Sequence, residues 1–129
     1  LASGGRTPDA SAAGLCGAAY TLKTTLYIYD GRHDRVGKVN ISRNSAGKRC
    51  AVTFRLGKYK GNKGYTEVGI QTYPAGSGNM GTIAGADGGS YSSYAGPVRA
   101  KVTRCFNVYG FVAATPTSKK FSAHRYTCG

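Results

Sequence analysis

From Tyr20 the chain alternates apolar and polar residues with a period of two. That spacing sets one face of a β-strand against a core. Tyr20, Leu22, Thr24, Leu26 and Ile28 fall on one side, with Thr21, Lys23, Thr25, Tyr27 and Tyr29 on the other. Asp30-Gly31 then marks a turn. A second strand over 36–43 turns Val39 and Ile41 inward, and Asn44 to Lys48 makes the next turn. A third strand over 49–56 is read with Cys50, Val52, Phe54 and Leu56 inward and Arg49, Ala51, Thr53 and Arg55 outward. Residues 57–64 form a connection with a basic tip. A strand over 65–73 follows, with Thr66, Val68, Ile70 and Thr72 on its apolar side, and Pro74 ends it. Residues 74–96 hold seven glycines and no Lys or Arg. This stretch reads as a long loop with a short strand near 90–94. Pro97 is expected at the first residue of the next strand, where its missing N–H does least harm. Val98, Ala100 and Val102 form that strand's inward side, and strands over 106–113 and 121–128 complete the chain. About eight short strands with Gly-rich turns predict an all-β fold, an antiparallel β-sandwich or small barrel.

With 129 residues the chain is one domain, and a core of that size needs no partner, so a monomer is expected. Residues 1–15 are small and polar and read as a flexible leader to a single domain over 16–129. Leu1 stands where a nascent chain has Met, which suggests a mature form trimmed of a signal peptide. Cys16, Cys50, Cys105 and Cys128 are even in number and contain no C-x-x-C pair. They read as two disulfides in an oxidising compartment, not as metal ligands. Three connectivities are open. Cys16–Cys50 with Cys105–Cys128 is favoured, because each would tie a terminal region to a nearby strand. No apolar run approaches the roughly 18 residues of a membrane-spanning helix.

Tyr94-Ala95-Gly96-Pro97-Val98, followed by an alternating strand and Cys105, resembles small secreted actinobacterial proteins of the spore-associated protein A type. Cys16-Gly17, Cys50-Ala51-Val52-Thr53 and the closing Cys128-Gly129 fit the same pattern. The resemblance implies a secreted, disulfide-bonded protein associated with the cell or spore surface. It carries over no catalytic residue. The chain departs from the family at Phe106 to Gly110, where an aromatic-glycine feature with Trp is expected; this chain has no Trp.

Charge sharpens the picture. Eighteen Lys and Arg against five Asp and Glu give a net charge of +13. Spread evenly, these charges would lie roughly 22 Å apart, beyond the physiological Debye length of about 8 Å. Clustering therefore matters more than the total. Residues 32–63 carry a net +9, against +4 for the rest of the chain. Arg43, Lys48, Arg49, Arg55, Lys58, Lys60 and Lys63, with Tyr59 and Tyr65 interleaved, are the candidate binding surface. The partner expected is an anionic polymer: cell-wall polymer, acidic glycan, nucleic acid or anionic lipid. Tyrosines among lysines could stack on bases or sugar rings. Arg99, Lys101 and Arg104 form a separate basic strand face.

Catalytic constellations are sparse. Asp30 and Asp34 flank one turn, where local hydrogen bonding suits them better than paired-carboxylate catalysis. No G-x-S-x-G occurs. His33 and His124 are the alternative: with a lysine, two histidines could cleave RNA as general base and general acid. A second alternative uses the 74–96 loop, with Tyr91 and Tyr94 as anchors, to bind a protein partner as an inhibitor or toxin component. No metal or other cofactor is expected. The leading expectation is a secreted binding protein, not an enzyme.

Overall fold

The computed structural model describes residues 15–73, 81–102 and 104–128. Eight strands follow in order: β1 (Thr21–Tyr29), β2 (Arg35–Arg43), β3 (Arg49–Arg55), β4 (Gly64–Tyr73), β5 (Thr82–Tyr91), β6 (Tyr94–Ala100), β7 (Cys105–Ala113) and β8 (Lys120–Cys128). A 3₁₀ turn at Gly57–Tyr59 links β3 to β4. All pairings are antiparallel, in two four-stranded sheets ordered β1-β2-β3-β6 and β5-β4-β7-β8. The fold is therefore the sandwich of the two predicted forms. Of the leader expected over 1–15, residues 1–14 lie outside the described residues, and Leu15 packs against the outer cluster of the first sheet.

The main core lies between the sheets. Ile28, Val39, Ile41 and Ala51 from the first sheet meet Val68, Ile70, Val108 and Val112 from the second. Period two explains β4 and β7: residues on one face are buried and those between them are partly exposed. In β1 the alternation breaks. A register shift between Leu22 and Thr24 swings Leu22 out to solvent, although Ile28 stays fully buried.

β3 corrects the expected facing. Ala51, Thr53 and Arg55 point at the second sheet and are buried. Cys50, Val52 and Phe54 point the other way, into a second cluster with Cys16 and Tyr94 that Leu15, Tyr20 and Leu56 flank. Both faces of β3 are thus covered, so alternation could not tell the core face from the other.

β5 corrects the loop reading of 74–96. Residues 82–91 form a strand paired with β4 from Thr72↔Thr82 to Gly64↔Tyr91. Residues 74–80 lie outside the described residues. The glycines of β5 leave room for larger neighbours: a Cβ on Gly88 would stand 2.6 Å from Tyr65 Oη, and one on Gly85 2.5 Å from Val98 Cγ1. Tyr91 and Tyr94 do not anchor a recognition loop. The Tyr91 hydroxyl donates to Asp87 Oδ1 at 2.6 Å, and Tyr94 is fully buried against Phe54. Pro97 lies inside β6 after a cis Gly96–Pro97 peptide, not at the strand's start. β6 is an edge strand, and its pairing with β3 shifts register near this point, so a missing N–H is accommodated.

The disulfides are Cys16–Cys50 and Cys105–Cys128. The first pins residues 15–20 over the outer cluster of the first sheet. The second joins β7 to β8 at the Cys105↔Cys128 rung.

Candidate functional site

The basic residues expected on one surface are divided between two ends of the sandwich. Successive turns on antiparallel strands lie at opposite ends, and β3 separates the 44–48 turn from the 57–63 connection. Seven residues at about 3.3 Å each put the two roughly 20 Å apart.

At the 57–63 end most of the expected residues are occupied by the fold. Arg55 is 1% exposed and so does not belong to a binding surface. Its guanidinium donates to the carbonyls of Tyr59 (3.0 Å), Tyr65 (3.3 Å) and Ala114 (3.4 Å), and to Thr66 Oγ1 (3.0 Å). Burial lowers its pKa from the usual arginine value. Tyr59 is buried beneath it, with the guanidinium carbon 5.4 Å from the ring centroid. Lys58 Nζ is held by Asp30 Oδ2 at 2.7 Å and Asp34 Oδ2 at 3.1 Å. These contacts raise the lysine's pKa. Asp30 Oδ1 also accepts the backbone N–H groups of Arg32 and Asp34, the local role expected of this turn. Tyr65 donates its hydroxyl to Glu67, and Lys120 Nζ sits 4.2 Å from its ring centroid. Lys60 and Lys63 remain exposed.

The other end gathers cations more closely. Asn44 builds the turn: its Oδ1 accepts from the N–H of Ala46 (3.1 Å) and of Lys48 (2.8 Å), and Gly47 takes a positive φ of 84°. Lys48 then lies beside Arg99 of β6 and Lys101 just after it. These three cations, with Ala46, Ala84 and Ala100, line a cleft of about 560 Å³. No acidic residue is among the described residues lining it. Arg43 pairs across the turn with Arg49, and Arg49 pairs with Ala100. Desolvation first, and then Arg43, lowers the Arg49 pKa from the usual arginine value. The Arg49 guanidinium lies 4.9 Å from the Phe106 ring centroid. One Arg99 nitrogen donates to the carbonyls of Leu15 (3.1 Å) and Cys16 (2.9 Å), which fixes the side chain over the cleft's rim.

Lys48 therefore shares a cleft with Arg99 and Lys101, which looked separate along the chain, while Arg43 and Arg49 lie on neighbouring rungs at the same end of the sandwich and do not line it. The signal for that grouping is the β3–β6 pairing, a contact across about fifty residues that a linear charge count does not contain.

The two histidines are not brought together. His33 is an exposed turn residue of the first sheet with φ 65°. His124 lies mid-strand on β8, opposite Tyr109, on the face of the second sheet turned away from the first. The two-histidine relay is thus not assembled. Among the described residues no group of three or more His, Cys, Asp or Glu could hold a metal ion.

Compared with known proteins, the chain matches no family model, no curated protein and no solved structure.

Proposed function

We propose that this is an extracellular binding protein that contacts anionic polymers through the basic end of the sandwich. The observation that carries this reading is the cleft lined by Lys48, Arg99 and Lys101, with Arg43 and Arg49 beside it and no acid among its described lining residues. A chain bearing regularly spaced phosphates, sulfates or carboxylates meets several cations there at once. Arginine suits such oxyanions because its planar fork makes paired hydrogen bonds. Close cations also repel one another, and a bound polyanion relieves that repulsion. Two disulfides fit an oxidising compartment, and among the described residues no helix is long and apolar enough to cross a membrane. The resemblance to spore-associated secreted proteins supports a cell-surface setting.

The test is equilibrium binding to heparin and to a short DNA duplex over a series of salt concentrations. Binding is expected to weaken steeply with salt. In the Lys48→Glu/Lys101→Glu variant the log–log slope with the duplex should fall by about two. A Lys60→Glu/Lys63→Glu variant should change it less. Binding unaffected by the first pair, or governed by the second, overturns this reading.

A further inference from the structure

The outward face of the second sheet carries a separate cavity of about 410 Å³, within the size range of small-ligand pockets. None of the described residues lining it is Lys or Arg. It is built from a polar floor and an aromatic wall.

The floor has two locked hydrogen-bond units. In one, the Glu67 carboxylate accepts hydroxyls from both Tyr65 and Tyr109, the latter at 3.0 Å. Burial, and then the bond to Glu67, pushes the Tyr109 pKa up to about 12, so its hydroxyl remains a donor at neutral pH. In the other, Asn107 Nδ2 donates to Gln71 Oε1 at 3.1 Å. This fixes the amide's orientation and leaves Asn107 Oδ1 as an acceptor. The His124 Nδ1 lies 3.3 Å from that oxygen and must therefore carry a proton to bond it. In the neutral ring Nε2 is then an acceptor. Among the described residues neither Nε2 nor the Gln71 amide nitrogen has a partner. The site thus offers a donor on β4 and, in the neutral ring, an acceptor on β8, on either side of Asn107. Tyr109 and Phe111, packed edge to face at 5.5 Å, supply the wall, and Ile83 stands 48% exposed at the rim.

This pattern selects among ligand classes. An anion would meet the Glu67 carboxylate with no Lys or Arg among the described lining residues. A cation would find that carboxylate already engaged by two phenols. A neutral ring with vicinal hydroxyls matches each part: its C–H face lies on the aromatic wall, and its hydroxyls both donate and accept. We propose that this cavity is a second binding site, which takes a neutral pyranose unit of a polysaccharide. Gln71, Asn107 and His124 read its hydroxyls, and Tyr109 carries its ring face.

The test is affinity electrophoresis of the intact protein in gels containing hydroxyethylcellulose, galactomannan, xyloglucan or glycol chitin. Retardation by at least one is expected, and it should persist in 0.5 M NaCl (roughly a 4 Å Debye length, which screens charge-driven contact). Gln71→Ala and His124→Ala should each weaken it about tenfold, the cost of one lost hydrogen bond. Both positions are outside the core, and circular dichroism confirms that the variants fold. Lys48→Glu/Lys101→Glu should leave it unchanged. No retardation in any gel, or retardation that survives both cavity substitutions, overturns the proposal. Retardation lost in salt or in the lysine variant does so too, because binding would then belong to the basic end.

Discussion

Tyr109 lies across Gly69: a Cβ on that glycine would collide with the tyrosine ring. The two residues face each other in the β4–β7 register. A glycine inside a strand weakens it unless something packs in the space, and here the phenol ring fills it. The ring thereby reaches along β4 to Glu67, so the bare backbone at Gly69 sets the height of the cavity floor. Gly69→Ala should destabilise the fold by about 1–3 kcal/mol through overpacking. In a Tyr109→Ala background the same substitution should cost little. Urea denaturation of the four proteins in this cycle measures the coupling. A Gly69→Ala cost that is the same in both backgrounds would show that the ring does not depend on the glycine.

Arg55 is a structural cation. It satisfies carbonyls from the 57–63 connection, the start of β4 and the turn after β7. Arg55→Met keeps much of the apolar volume but removes the guanidinium donor from these carbonyls, of which that of Tyr59 keeps the Asn62 N–H. A loss of about 2–4 kcal/mol is expected, read as a lower urea midpoint. Heparin retention of the folded variant should match the parent. A fall in retention equal to that of Lys48→Glu/Lys101→Glu would instead return Arg55 to the surface role its position in the sequence suggested.

Arg55 also shows where the sequence is legible and where it is not. The strand β4 could be read because one of its faces is more apolar than the other, and β7 because it is a strongly apolar run, with Tyr109 and Phe111 on its outward face. Alternation in β3 is equally clear, yet its facing is opposite to expectation. Residues 15–20 and Tyr94 cover the side away from the main core, so both sides are buried. An arginine on an alternating strand looks like a solvent residue unless the waiting carbonyls are known. β5 was hidden for a different reason. Its glycines have no side chains to alternate, and the bulk over them comes from Tyr65 of β4, Val98 of β6 and Tyr91. The disulfide partners were legible from chain proximity. The cavity on the second sheet was not, because its residues come from four strands spread over nearly sixty positions.

Acid should weaken the 30–34 turn in a defined window. The Lys58 ammonium, helped by the backbone N–H groups of Asp34 and Arg32, lowers the Asp30 pKa from 3.8 to about 2. A carboxyl whose pKa is lower in the folded state binds protons more readily when unfolded. Its stabilisation is therefore complete above about pH 4 and is lost as the pH falls towards 2. Thermal unfolding of the parent should show a decline in Tm across that window. Asp30→Asn should lack that part of the decline and have a lower Tm at neutral pH. Identical pH profiles for the two proteins would mean that the ion pair does not contribute.

The two disulfides should differ in weight. Cys16–Cys50 closes a separation of 34 residues and Cys105–Cys128 one of 23, for which chain entropy gives roughly 3 to 4 kcal/mol each. The entropic difference between them is small, but their surroundings differ. Cys105–Cys128 joins two strands that already pair along nine rungs. Cys16–Cys50 holds a segment that no strand pairing secures, and that segment covers Val52, Phe54 and Tyr94. Its Leu15 and Cys16 carbonyls also hold Arg99 at the rim of the basic cleft. Cys16→Ser/Cys50→Ala should therefore lose more stability than Cys105→Ser/Cys128→Ala by urea denaturation. It should also expose the outer cluster, read as increased binding of a hydrophobic dye under native conditions. Arg99, released from its carbonyls, should then bind the DNA duplex less specifically in position while keeping its charge, so affinity should fall with little change in the salt slope. Equal losses for the two variants, with no dye binding and no change in affinity, would show that the 15–20 segment neither covers the sheet nor positions Arg99.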